Sequence, residues 1–372
     1  MTDKTDEKAE TIPTYKHQVA SHCESGTVRN LLNHGGLEVS EPMIFGIGSG
    51  PAFFYLFFVR GPSGFPLCGI RTPPGSILKS IRKRCNIDFF AKKYRSTDQA
   101  FERLGELLDK GTPVAVSVDM FYMKYLPSFM HVHAPFHFIT LVGRKGDSYV
   151  VSDPYFEPLG ELSKENLRAA WATHAPLAKD NFLSYVERIP SSINWEKAIV
   201  TGLKKTCNGM VLPPGIRSAF GFVGVEGMRM YAREVRKWPD KYSGSMLREG
   251  ILFNAVAFED QGTGGGAFRL MYGAFLQEAA DIFGSRGLAE MADQMIEHGK
   301  AWRDISRLII KAGKIVPMDD KKYEAWFGVH ESELREKLAE ISRLFSERAD
   351  FERRFFTELK KVSAHLKYSK KA

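Results

Sequence analysis

The chain has 372 residues, 44% of them hydrophobic and 26% charged, with a formal net charge of +8. This composition excludes a disordered or fibrous chain, and the length suits two globular domains rather than one small core. No stretch of about eighteen residues is free of polar breaks, which excludes a membrane-spanning helix.

Met1 to Glu10 is polar and lacks the apolar core of a signal peptide, so residues 1–12 read as a disordered leader and a cytoplasmic location is expected. Cys23, Cys68, Cys85 and Cys207 have neither zinc-site nor disulfide-framework spacing and are expected as free thiols. The stretch Ser21-His22-Cys23-Glu24-Ser25 leads into an amphipathic run, with Val28, Leu31 and Leu32 at helical spacing and Gly35-Gly36 as its stop. A thiol there sits at the positive end of a helix, beside backbone N–H groups that favour a thiolate and can hold an oxyanion.

Residues 37–50 carry glycines that suit either tight backbone near a site or simply a loop, and they do not form a dinucleotide fingerprint. Phe53 to Val59 is an aromatic strand, and Gly61 to Gly75 is loop or short strands. Lys79, Arg82, Lys83, Arg84, Lys92, Lys93 and Arg95 form a basic run opposed only by Asp88. A solvated face or a docking site for an acidic partner fits it; nucleic acid is not expected, since no recognition motif accompanies it. Ser96 and Gln99 have capping-box spacing ahead of a helix with Phe101, Leu104, Leu107 and Leu108 on its apolar face.

Pro113 to Asp119 is a strand, and Met120 to Met130 is a loop of methionine and aromatic residues suited to an apolar ligand wall or to packing. His137 opens the next strand, Arg144 to Asp147 turns the chain, and Ser148 to Ser152 returns it to Asp153-Pro154. Ser163 caps a helix to about Thr173, and Phe182 to Ile189 alternates like a strand. Helical spacing dominates afterwards, at Ile216–Trp238, Ala267–Phe283, Leu288–Ala312 and Glu331–Val362. The expected division is therefore a catalytic domain at 13–190, a helical domain at 191–366 and a frayed tail at 367–372.

The hairpin brings its ends together, so Asp153 can orient His137 and His137 can take the proton of Cys23. The competing reading is three ordinary residues, since free cysteine is usually buried and Asp-Pro makes a good turn. For an oxyanion the candidate donors are the Cys23 backbone N–H and the side chain of Gln18. His131, His133 and His137 have a spacing that could bind zinc, but Pro135 breaks that strand and no nearby carboxylate completes the set, so no metal is expected. In the second domain, Glu259 and Asp260 precede Gly262-Thr263-Gly264-Gly265-Gly266; the loop could hold an anion, the acids suit an amine, and a plain turn that needs positive φ fits equally.

His22-Cys23-Glu24-Ser25, Ser40-Glu41-Pro42-Met43, Phe45-Gly46-Ile47-Gly48, His137-Phe138 and Asp153-Pro154 together resemble the N-terminal domain of the butirosin biosynthesis protein H family. Glu259-Asp260, Gly262 to Gly265, Phe268-Arg269 and Tyr272 resemble the helical domain that accompanies it. The resemblance implies an α+β, papain-like, cysteine-protease-type domain followed by an all-α domain. It also implies acyl transfer from the phosphopantetheine thioester of an acyl carrier protein, or of CoA, to an amine of a small molecule. Cys23 would carry the acyl group, His137 would act as base with Asp153 behind it, and no bound cofactor is implied. Glu41, Glu259, Asp260, Arg269 and Tyr272 are then candidates for substrate binding. A homodimer remains an option. A hydrolase on the same triad and a non-catalytic binding protein are the competing functions.

Overall fold

The structure, a computed structural model, describes residues 9–61, 64–174, 178–212, 222–260 and 262–367. Most of the expected leader and all but the first residue of the expected tail lie outside these residues. In chain order the elements are β1 (Glu10–Thr11), α1 (Cys23–His34), α2 (Glu41–Ile47), β2 (Pro51–Arg60), β3 (Pro66–Arg71), α3 (Ser76–Arg84), β4 (Asp88–Lys93), α4 (Thr97–Asp109), β5 (Val114–Val118), β6 (His137–Lys145), β7 (Ser148–Ser152), β8 (Gly160–Ser163), α5 (Lys164–Trp171) and β9 (Phe182–Arg188). The helices α6 (Trp195–Met210), α7 (Gly224–Val235), α8 (Trp238–Lys241), α9 (Gly244–Glu259), α10 (Arg269–Phe283), α11 (Arg286–Ile315) and α12 (Asp320–His365) follow.

The chain forms two compact units, one of residues 1–44 and 73–193, the other of 45–72 and 194–372. The first is built on an antiparallel sheet in the order β4-β9-β5-β6-β7-β8, with β1 also paired to β6. Thr11 lies opposite Gly143, so the end of the expected leader is a strand rather than disordered chain. Val114, Val116 and Val118 of β5 and Ile139 and Leu141 of β6 pack with Phe101, Leu104 and Leu107 of α4 and Leu167 and Trp171 of α5. These are the period-2 and period-3.6 apolar positions of their segments. Ser96 caps α4 by accepting the Gln99 N–H. Helix α1 meets β6 elsewhere: Thr27 Oγ1 donates to the Phe138 carbonyl at 3.2 Å, and Cys23 packs with Phe138 and Phe182.

Two segments take forms that the sequence pattern did not assign. Residues 41–47 are helical because the Ser40 hydroxyl accepts the Met43 N–H and Pro42 stands near the helix start, where it needs no N–H partner. The front of the basic run is the amphipathic helix α3, which buries Ile77, Leu78 and Ile81 and leaves Lys79, Arg82 and Lys83 exposed.

In the second unit β2 and β3 form a two-stranded antiparallel ribbon. The Phe53 and Tyr55 rings pack on Tyr231, and Phe53 also meets Trp302 and Phe345. An inner face that belongs to this aromatic core assigns residues 45–72 to the helical unit, not to the first domain as the chain order implied. Helix α12 repeats buried Leu334, Leu338, Ile341, Phe345, Ala349, Glu352, Phe356 and Leu359 at helical spacing over its length. Among the described residues, no helix is long and apolar enough to cross a membrane.

Candidate active site

Cys23 is the first residue of α1, and His22 before it is extended, with Nδ1 accepting the Ser25 N–H at 3.3 Å. The turn is fixed from outside the helix. Glu41 at the start of α2 accepts the Ser21 N–H at 2.9 Å, the His22 N–H at 2.8 Å and the Ser25 hydroxyl at 2.9 Å. Burial raises the Glu41 carboxyl, and those three hydrogen bonds and Arg29 work against the rise. Glu24 points the other way, its carboxylate accepting the Gly75 N–H at 2.9 Å and the Leu78 N–H at 3.0 Å, so it caps α3. Gly26 lets the incoming segment cross α1: a Cβ there would lie 2.4 Å from that of Ala20, whose N–H donates to the Pro154 carbonyl at 2.7 Å. The residues around Cys23 thus hold the backbone that aims it.

His137 begins β6 and Asp153 follows β7, as the hairpin predicts. Their side chains meet at 3.0 Å between Nε2 and Oδ2. Nε2–H donates to the carboxylate, which leaves Nδ1 to face the thiol. Tyr125 donates its hydroxyl to the same Oδ2 at 2.9 Å, and the Tyr155 N–H donates to Oδ1 at 3.0 Å. The Tyr155 ring lies 5.1 Å from that of His137. Burial alone would discharge the His137 ring, but Asp153 and then Cys23 act in the opposite direction, and its pKa is pushed up to about 10. Burial likewise favours a neutral Asp153, yet the charge of His137 and the three hydrogen bonds hold it below its ordinary value. A cationic imidazole beside a thiol at a helix N-terminus favours the thiolate. By contrast, burial pushes Cys85 and Cys207 up to about 12, and Cys68 upward as well.

The other expected site residues are placed differently. The Gln18 amide oxygen accepts from Asn33 at 3.0 Å in the last turn of α1, about 15 Å along the helix from Cys23 at 1.5 Å per residue. Its side chain is not placed to hold an oxyanion at Cys23. Glu41 is buried and engaged with the turn before Cys23, so it shapes the site rather than meeting a substrate. The Glu259 carboxylate accepts the Gly266 N–H at 2.9 Å and pairs with Arg303 at 2.9 Å, while Asp260 is exposed at the end of α9. The Gly265 N–H is taken by Thr263, so the glycine turn spends these donors internally rather than on an anion. Arg269 is buried against Glu352, and the Tyr272 hydroxyl is buried near Thr206, both within the helical unit.

Much of the Met120–Met130 loop is packing: Met123 and Leu126 are buried in the sheet core, with Tyr125 beside them and reaching Asp153. The three histidines diverge, with His131 on the Leu126 carbonyl, His133 on Asp119 and His137 on Asp153. Among the described residues no group of three or more potential ligands could hold a metal ion. The roles of Glu24 and Tyr125 carry no local sequence signal, because each acts on a partner distant along the chain.

Residues 22–154 match the family model described as butirosin biosynthesis protein H, N-terminal, so the match opens one residue before Cys23 and closes one residue after Asp153. Residues 165–359 match a domain of unknown function, DUF4872. Among solved structures, a C39-like peptidase from Bacillus anthracis is similar at 15% identity and a TM-score of 0.34, over 50% of this chain and 100% of that one. No curated protein matches. The matched segment of the first unit thus spans the helix-borne cysteine and the sheet-borne histidine and aspartate. Residues 22–154 thus belong to the butirosin biosynthesis protein H family as its N-terminal domain, and residues 165–359, just over half of the chain, to the family of DUF4872.

Proposed function

We propose, with that membership as premise, that the protein is an N-acyltransferase. Cys23 takes an acyl group from the phosphopantetheine thioester of a carrier protein or of CoA and passes it to an amine of a small molecule. The observation that carries this reading is Cys23 at the first position of α1 beside a His137 ring held at about 10 by Asp153. A thiolate–imidazolium pair is ready to attack without a further base. Exchange of one thioester for another is nearly isoenergetic, so a cysteine suits such a donor. The exposed Lys79, Arg82 and Lys83 of α3 suit the acidic surface of a carrier protein.

The test is intact-protein mass after incubation with a panel of acyl thioesters. Wild type should gain one acyl group and Cys23→Ala none, and added amines should discharge the adduct as amides. Discharge to free acid at the same rate with and without amines would make the protein a hydrolase. No adduct with any thioester, and no alkylation of Cys23, would make it a binding protein.

A further inference from the structure

A second buried carboxylate, one residue beyond the strand position paired with His137, holds a second histidine. Val118, the last residue of β5, is paired with His137 across the sheet, and Asp119 follows it. Asp119 is fully buried, its Oδ1 accepting the N–H of Ala134 at 2.9 Å and that of Phe121 at 3.2 Å. Its Oδ2 meets His133 Nδ1 at 2.8 Å. The Phe121 ring stacks on the imidazole with centroids 4.3 Å apart. His133 is thus clamped on one edge and one face, yet its side chain remains 60% exposed, whereas that of His137 is 3% exposed. With Nδ1–H given to Asp119, Nε2 carries the lone pair, the arrangement of an oriented base open to solvent.

The proposed reaction needs such a group. Cys23 thiolate attacks the thioester, the carbon–sulfur bond to the donor breaks, and the departing thiolate takes the proton from His137. An amine then attacks the acyl-cysteine, His137 takes one N–H proton, and Cys23 leaves as thiolate. At neutral pH, however, an alkylamine arrives as an ammonium ion and must lose one proton more. The balance is thioester plus ammonium giving amide, thiol and one free proton. His137 is restored to its starting state by the cycle and cannot absorb that proton.

We propose that His133, oriented by Asp119, takes the surplus proton from the acceptor ammonium at Nε2 and releases it to water. His133 is then a catalytic residue on the acceptor side and Asp119 a positioning residue. This inference rests on the acyl-transfer reading.

The test separates the two. Wild type and His133→Gln are acylated with an N-acetylcysteamine thioester, and the mass adduct is followed as it is discharged by ethanolamine, largely protonated at neutral pH, or by hydroxylamine, largely unprotonated. Acylation should proceed equally in both proteins, which also shows that the variant folds. Discharge by ethanolamine should slow about 100-fold in the variant, within the range of general-base effects, and discharge by hydroxylamine should be unchanged. Added imidazole should restore ethanolamine discharge in His133→Ala. Equal discharge of both proteins by ethanolamine, or wild-type discharge by hydroxylamine alone, would overturn the assignment while leaving the acyl-enzyme intact. Failure of wild type to acylate would remove the acyl-transfer reading and this inference with it.

Discussion

Two buried histidines each sit against a carboxylate, and they titrate in opposite directions. His137 meets Asp153 at 3.0 Å and His298 meets Glu352 at 2.8 Å. Burial opposes the charged ring in both, yet His137 is raised to about 10 and His298 falls below its ordinary value. The difference lies in what else claims the carboxylate. The other partners of Asp153 are neutral donors, the Tyr125 hydroxyl and the Tyr155 N–H, so its charge remains for His137. Glu352 is clasped by Arg269 through two hydrogen bonds of 2.9 Å, and Arg269 and Arg348 repel a proton on His298. An imidazole close to a carboxylate is therefore not yet a base; the charge left on the carboxylate decides.

The strongest way to break the comparison is to remove the charge and keep the shape. Asp153→Asn should slow acylation of Cys23 by ~10³–10⁴-fold, as loss of the orienting carboxylate does in other triads. The His137 titration, followed by ring-proton NMR, should move down from about 10. A near-native rate would mean that placement, not charge, makes Cys23 reactive.

The converse is to free the charge of Glu352. Arg269→Met should cost about 3–5 kcal/mol, because it leaves a buried carboxylate without its main partner. It should also reverse a pH slope. In wild type His298 is lowered, so the unfolded chain binds a proton that the folded chain does not. That contribution to stability is present above about pH 6.5 and is lost as pH falls. With Arg269 gone, His298 should be raised, and its contribution should be present below about pH 6.5 and lost as pH rises through the new folded value. Urea unfolding from about pH 5 to pH 8 reads both the cost and the slope. An unchanged slope would mean that burial, not Arg269, keeps His298 neutral.

How much of this was legible depends on how local each signal is. Cys23, His137 and Asp153 stand at the ends of elements whose periodicity marks them. Glu24 and Glu41 act on N–H groups 54 and 20 residues away, and no period in the sequence links a capping carboxylate to a distant helix or turn. Gln18 failed for the same reason: its spacing from Cys23 suggests a donor, but its amide is taken by Asn33. The strand at Phe53 was readable, while its unit was not, because that depends on which aromatic core its inner face meets. Helix α9 has no single apolar stripe to mark it, because apolar residues surround it: Leu247, Ile251 and Phe258 are buried, while Met246, Phe253 and Val256 are exposed.

The smallest expected effect sharpens the same comparison at Asp153. Tyr125 donates to the oxygen that His137 also uses, so Tyr125→Phe removes an orienting donor and leaves the charge. A net hydrogen bond is worth about 0.5–1.5 kcal/mol, so acylation should slow roughly 3- to 10-fold, with full acylation still reached. The hydroxyl helps hold Asp153 below its ordinary value, so the variant carboxylate should become slightly more basic and hold the His137 proton at least as firmly. The loss should therefore appear in kcat, from a looser Asp153, and not as a lower His137 pKa. The loop reading of Met120–Met130 makes a different demand. If Tyr125 serves mainly as a wall for the acyl chain, the variant should keep kcat and change KM with acyl length. A kcat effect independent of acyl length assigns Tyr125 to the charge arrangement that separates His137 from His298.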